Sequence, residues 1–167
     1  MSNHLEDLVA EWLEYNGYFV RKSVLVGRRS NGGYDGELDV VGFHPNRNHL
    51  IHIECSLDAL TWEKREARFT RKLEQGRKYV PELFYGLHSD AELDQIVLLQ
   101  FGGGQKSEIG GGRLIWVCDL VSDIMDRLSL LSPDKSAVPS TYPLLRTMQL
   151  ASQKKRQRKN HHRLIAV

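Results

Sequence analysis

Only two cysteines, Cys55 and Cys118, occur in the 167 residues, and both lie inside apolar, strand-like runs. That usage excludes a disulfide-stapled scaffold and predicts two buried free thiols. No apolar run approaches the roughly 18 residues that a bilayer span requires. The opening Met1-Ser2-Asn3-His4-Leu5-Glu6-Asp7 lacks the basic-then-apolar order of a secretory signal. The expectation is a cytoplasmic protein with no membrane partner. Neither Gly102-Gly103-Gly104 nor Gly110-Gly111-Gly112 is accompanied by a Gly-Lys-Ser/Thr signature, so no nucleotide loop is indicated. The two glycine runs read instead as the ends of a flexible hairpin. His44, His49 and His52 have no regular zinc-ligand spacing, and His161-His162 sits in a basic tail. Ser56 has no neighbouring base of the kind a nucleophilic serine needs.

Acidic residues are missing altogether after Asp134. Residues 135–167 carry eight Lys or Arg, hence +8, while the preceding 134 residues carry −6. A basic end on a mildly acidic body suggests a polyanionic partner, with Lys154, Lys155, Arg156, Arg158 and Lys159 as candidate nucleic-acid contacts. Basic tails also occur on proteins with no such role. A hydrophobic content of 41% and a charged content of 26% fit an ordinary soluble globular protein. The length suits one domain with a real core rather than two.

Leu5, Leu8, Val9, Trp12 and Leu13 recur at helical spacing, and Gly17 marks the end of that helix. Tyr18-Phe19-Val20 and Val24-Leu25-Val26 read as a strand, and Gly27 to Gly36 as a glycine-rich loop. Two strands follow, Gly36 to Gly42 and Leu50 to Ser56, separated by the turn-rich His44-Pro45-Asn46-Arg47-Asn48. A second helix is expected over Thr61–Val80, with Trp62, Phe69, Leu73 and Val80 on its apolar face and Pro81 stopping it. Gln95–Phe101 and Arg113–Cys118 are buried strands by composition. Asp119 can cap a third helix that runs to about Leu131, where Ser132-Pro133-Asp134 breaks it. A last helix covers Tyr142 to Ala151 and runs into the basic tail. The order predicts a mixed α/β sheet with helices packed against it.

The informative feature is the pair of carboxylates inside the two central strands. A hairpin of Gly36-Glu37-Leu38-Asp39-Val40-Val41-Gly42 with Leu50-Ile51-His52-Ile53-Glu54-Cys55-Ser56 sets Asp39 beside Glu54. Two acids held together at strand ends are costly unless a cation lies between them. Mg²⁺ (or Mn²⁺) suits a few carboxylates plus water and phosphate oxygens, which points to phosphodiester chemistry. Each acid also has a plainer reading. Asp39 can accept backbone N–H bonds near the glycine loop. Glu54 can lie on the solvent face of an alternating strand, with His52 beside it, and Glu6 can be helix-start charge answering the dipole.

This order of elements, with acids on the second and third strands, resembles the PD-(D/E)xK nuclease superfamily over roughly residues 2–120. Leu5-Glu6-x-x-Val9-Ala10, Leu13 and Gly17-Tyr18 resemble the opening helix of Mrr-type and archaeal Holliday-junction-resolvase members. Gln75-Gly76-Arg77-Lys78-Tyr79 is similar to the Gln-x-x-x-Tyr pattern of RecB-type members. The resemblance implies a restriction-endonuclease-like αβββαβ core over residues 1–131, with a C-terminal helix and basic tail over 132–167. It implies Mg²⁺ held by Asp39, Glu54 and the Cys55 carbonyl, with Glu6 reaching the same site. Gln75 and Tyr79, one turn apart on one helix face, would contact the phosphate backbone or fix the metal ligands. DNA is the implied substrate. A homodimer is compatible with duplex cutting, and a protein partner with directing specificity.

The chain departs from the family where Glu-x-Lys is usual, since it reads Glu54-Cys55-Ser56. A serine hydroxyl cannot supply the missing positive charge. By helical rotation, Lys64, Arg68, Arg71 and Lys72 fall near Gln75 on the polar face of the second helix. Lys72 is the first choice for a migrated lysine and Lys64 the second; Arg68 and Arg71 are further candidate nucleic-acid contacts. If neither lysine reaches the acids, the chain reads as a catalytically degenerate nucleic-acid or partner binder.

Overall fold

The computed structural model describes residues 3–87, 90–102 and 105–157, with side chains through Gln153. The order is α1 (His4–Tyr15), β1 (Phe19–Arg28), β2 (Tyr34–His44), β3 (His49–Ser56), α2 (Trp62–Leu83), β4 (Glu92–Leu99), β5 (Glu108–Ile109), β6 (Gly112–Trp116), α3 (Val117–Ser129) and α4 (Pro143–Gln157). The strands form one six-stranded mixed sheet in the order β1-β2-β3-β4-β6-β5. β1, β2 and β3 form an antiparallel meander. α2 is the crossover that returns the chain so that β4 runs parallel to β3, and β6 runs parallel to β4. The chain is α/β, and no helix among the described residues is long and apolar enough to cross a membrane.

α2 follows its apolar stripe. Phe69, Leu73, Gly76 and Val80 are buried at spacings of four, three and four, the period of one helix face. Val80 joins a cluster with Val24, Val26, Leu38, Val41, Phe43, Leu50 and Phe84. Phe69 and Leu73 join Val97, Leu99, Ile109 and Leu114. The helix thus lies across the centre of the sheet, directly above β2 and β3.

Contacts divide the chain into two compact units, Met1–Cys118 and Asp119–Val167. The second has its own buried residues, Ile124, Leu128, Val138 and Leu145. Gln149 closes it: its side chain accepts the Val138 N–H at 2.9 Å and donates to the Ser136 carbonyl at 2.9 Å.

Several local expectations give way to the structure. The glycine-rich loop is shorter than read, because β1 and β2 pair as far as Arg28 opposite Tyr34. Pro81 does not stop α2, which continues to Leu83. It sits in the last turn, where a missing N–H removes only one intrahelical bond. Cys118 is exposed rather than buried, since the strand ends at Trp116 and helix begins at Val117. The second glycine run does lie in a hairpin, with Ile109 opposite Gly112.

Candidate active site

The β2–β3 ladder ends at Val40 opposite Ile53. One residue further on, side chains take over the pairing. The Cys55 N–H donates to Asp39 Oδ2 at 2.8 Å, and the Asp39 N–H points to Glu54 Oε1 at 3.4 Å. The strands therefore open where the two carboxylates stand together. From above, Lys72 on α2 donates its ammonium to Asp39 Oδ1 at 2.8 Å and to Glu54 Oε2. Glu54 is fully buried and the Asp39 side chain is 12% exposed. The solvent-face reading of Glu54 does not hold. The plainer reading of Asp39 is half met, since it does accept a backbone N–H, but from β3 and alongside an ammonium.

The charges are unevenly balanced. Burial and the neighbouring Glu54 push Asp39 up to about 7, against the pull of Lys72 and the Cys55 N–H. Burial would also raise Glu54, but the His52 hydrogen bond and the Lys72 ammonium hold it below the usual carboxylate range. Burial would lower Lys72, and the two carboxylates outweigh it and raise it. One ammonium faces two acids, Glu54 buried and Asp39 partly buried, so the pair carries more negative charge than its surroundings neutralise.

Glu6 is also buried, 6% exposed. Asn3 caps α1 by accepting the Leu5 and Glu6 N–H groups, and its amide donates to Glu6 Oε1 at 2.8 Å. Its charge reaches Cys55, whose thiol is pushed up by burial, then by Asp39, Glu6 and Glu54. Cys55 is thus an unreactive thiol, and its part in the site is its backbone.

The other expected site residues lie around the acidic pair rather than on it, or outside the described residues. Gln75 does not touch the acids: its amide donates to the Asp35 carbonyl at 2.7 Å. A Cβ at Gly36 would collide with that amide, so the glycine lets β2 pass close under α2. Tyr79 donates its hydroxyl to Asp35 Oδ2 at 2.5 Å. Gln75, Tyr79, Arg71, Lys78, Arg29 and Asp35 border an open groove of about 330 Å³. Arg68 is held by Asp58 at 2.6 Å, and Lys64 is exposed. Ser56 is buried, with its hydroxyl donating to Asp58 at 2.6 Å. The side chains of Lys154, Lys155 and Arg156, and all of Arg158 and Lys159, lie outside the described residues.

The sequence pattern sets His52 beside Glu54 but gives no role in the site to His52, Gln95 or Arg77. His52 is fully buried with Nε2 at 2.8 Å from Glu54 Oε1. The available signal was Gly76, a glycine in mid-helix that costs about 1 kcal/mol against alanine. A Cβ there would strike His52 Nδ1.

Comparison with protein-family models, with curated proteins and with solved structures returns no match. Among the described residues, no cluster of three or more His, Cys, Asp or Glu is arranged to hold a metal ion. The two acids supply hard oxygen donors converging on one point. Such a pair fits a cation that keeps several waters and takes phosphate oxygens, as Mg²⁺ and Mn²⁺ do, rather than one caged wholly by protein.

Proposed function

We propose that the chain is a Mg²⁺- or Mn²⁺-dependent DNA endonuclease of the PD-(D/E)xK type, with an αβββαβ restriction-endonuclease-like core. The observation that carries this reading is the convergence of Asp39 Oδ1 and Glu54 Oε2 on Lys72 Nζ. The lysine missing after Cys55 has a counterpart one helix away. Asp39 and Glu54 would hold the ion, with the Cys55 carbonyl and Glu6 as the family resemblance implies. A bound divalent ion supplies a water of lowered pKa and polarises the scissile phosphate. With an ion held by the acids, Lys72 would orient the attacking water and offset charge on the phosphate. The exposed cations Lys64, Arg71 and Lys78 lie along the same helix and favour a polyanionic strand.

A second reading has its own support. Lys72 already provides the pair with a cation, and Ser56 is tied to Asp58. On that reading the chain is a degenerate nucleic-acid or partner binder whose ion pair serves folding. Incubation of plasmid and branched DNA with Mn²⁺, beside Asp39→Ala, separates the two. Cleavage lost in the variant supports the nuclease. DNA binding without cleavage in the native chain supports the binder.

A further inference from the structure

The hydrogen bonds behind Glu54 form one chain whose direction is fixed at its far end. Arg77 Nη1 lies 2.9 Å from Gln95 Oε1. A guanidinium only donates, so the Gln95 atom it meets is the oxygen. The Gln95 nitrogen then lies 2.8 Å from the Leu73 carbonyl, which only accepts, and this fixes the same amide orientation independently. That nitrogen is also 3.1 Å from His52 Nδ1. A donor faces Nδ1, so Nδ1 carries the lone pair and the ring proton sits on Nε2. Nε2 in turn lies 2.8 Å from Glu54 Oε1. The opposite tautomer would set two N–H groups against each other at Gln95 and a lone pair against a carboxylate at Glu54. An imidazolium would keep the first of those clashes.

We infer that His52 is a positioning residue for the acidic pair: a neutral ring, protonated on Nε2, that binds Glu54 Oε1 and thereby presents Oε2 to a cation. The ring cannot turn away, because it is fully buried and Gly76 of α2 closes over it. Groups that orient a ligating carboxylate in this way are worth roughly 10–100-fold in metal affinity. The ring's protonation site follows from the hydrogen bonds alone; its effect on cation binding rests on the functional reading above.

Long-range ¹H–¹⁵N correlation spectra of the cation-free native protein test the first part, with His52→Gln identifying the His52 signals. A single ring proton on Nε2 is expected. A proton on Nδ1, or on both nitrogens, overturns the inference. Mn²⁺ titration followed by electron paramagnetic resonance tests the second. His52→Gln keeps an amide donor near the Nε2 position and should hold affinity within about threefold. His52→Asn places its amide near Nδ1 instead and should lose roughly 10–100-fold. Equal affinities in the two variants overturn the positioning role. If the native chain binds no Mn²⁺, the cation reading fails, and the ring spectrum still decides the inference about His52.

Discussion

Two carboxylate clusters flank the end of β3, and their charge balances are opposite. Asp58 accepts bonds from the Ser56 hydroxyl, the Leu60 N–H and Arg68, with Arg65 Nε at 3.5 Å. Two guanidinium groups serve one acid there. Burial works against its charge, but those donors and the Arg68 charge hold it down to about 2. At the Asp39–Glu54 pair, one ammonium serves two acids and Asp39 is pushed up to about 7. The first cluster is closed and fixes the turn into α2. The second is short of positive charge in a buried place, which is the condition that invites a further cation.

The largest expected effect comes from deleting one member of the second cluster. Asp39→Ala should lower Mn²⁺-dependent DNA cleavage by about 10³-fold or more, measured as the single-turnover rate. Asp58→Asn should leave that rate within about threefold, because Asp58 is engaged by Ser56, Leu60 and Arg68 and shares none of the partners of Asp39 and Glu54. Equal losses in the two variants would erase the distinction between the clusters.

Lys72→Met sharpens the comparison through stability. It leaves buried Glu54 and partly buried Asp39 without their ammonium, which should cost roughly 3–5 kcal/mol in urea unfolding at pH 8. Mn²⁺ should restore much of that loss, since a ligand that binds only the folded chain stabilises it. A smaller loss is expected at pH 5, where Asp39 is protonated and one charge is gone.

The pH dependence has a definite sign. An acid raised from 3.8 to about 7 keeps its proton in the folded chain and sheds it in the unfolded one between those values. The cation-free protein should therefore lose Asp39's share of stability as pH rises from about 4 through about 7. Glu54, held low, acts in the opposite sense: its share is present above its unfolded pKa and is lost as pH falls through the folded one. Lys72, held high, contributes below its unfolded pKa and is lost in strong alkali. Thermal melts of Asp39→Asn should show a flatter profile from pH 5 to 8 than the native chain. Asp58 behaves as a lowered acid, so its share is present above 3.8 and is lost as pH falls toward about 2. Asp58→Asn should cost roughly 1–2 kcal/mol near neutrality, solvent screening keeping it small.

The smallest effect is expected outside both clusters. Arg71→Ala should weaken DNA binding modestly and lower the slope of log K against log salt by about 1, as loss of one phosphate contact does. An unchanged slope removes Arg71 from the interface.

Part of the site is legible in the sequence. Asp39 and Glu54 follow from strand alternation and a short turn, so their meeting is a consequence of register. Lys72 follows from rotation around a helix whose apolar stripe is plain. The place of His52 beside Glu54 was legible from strand alternation; its link to Gln95 was not, because that joins β3 to β4 across a crossover of a whole helix. The partner of Gln75 was hidden for a related reason: its helix face was plain, but only the packing distance set by Gly36 decides which strand atom it meets. The reach of β1 to Arg28 was hidden by glycines that favour loops locally yet accept strand pairing when a partner is present.

Mn²⁺ titration of the native chain at pH 8, beside Asp39→Asn and Asp58→Asn, tests the central claim most directly. One saturable site is expected in the native chain and in Asp58→Asn, and none in Asp39→Asn. Absence of saturable binding in the native chain, or its survival in Asp39→Asn, would contradict the account.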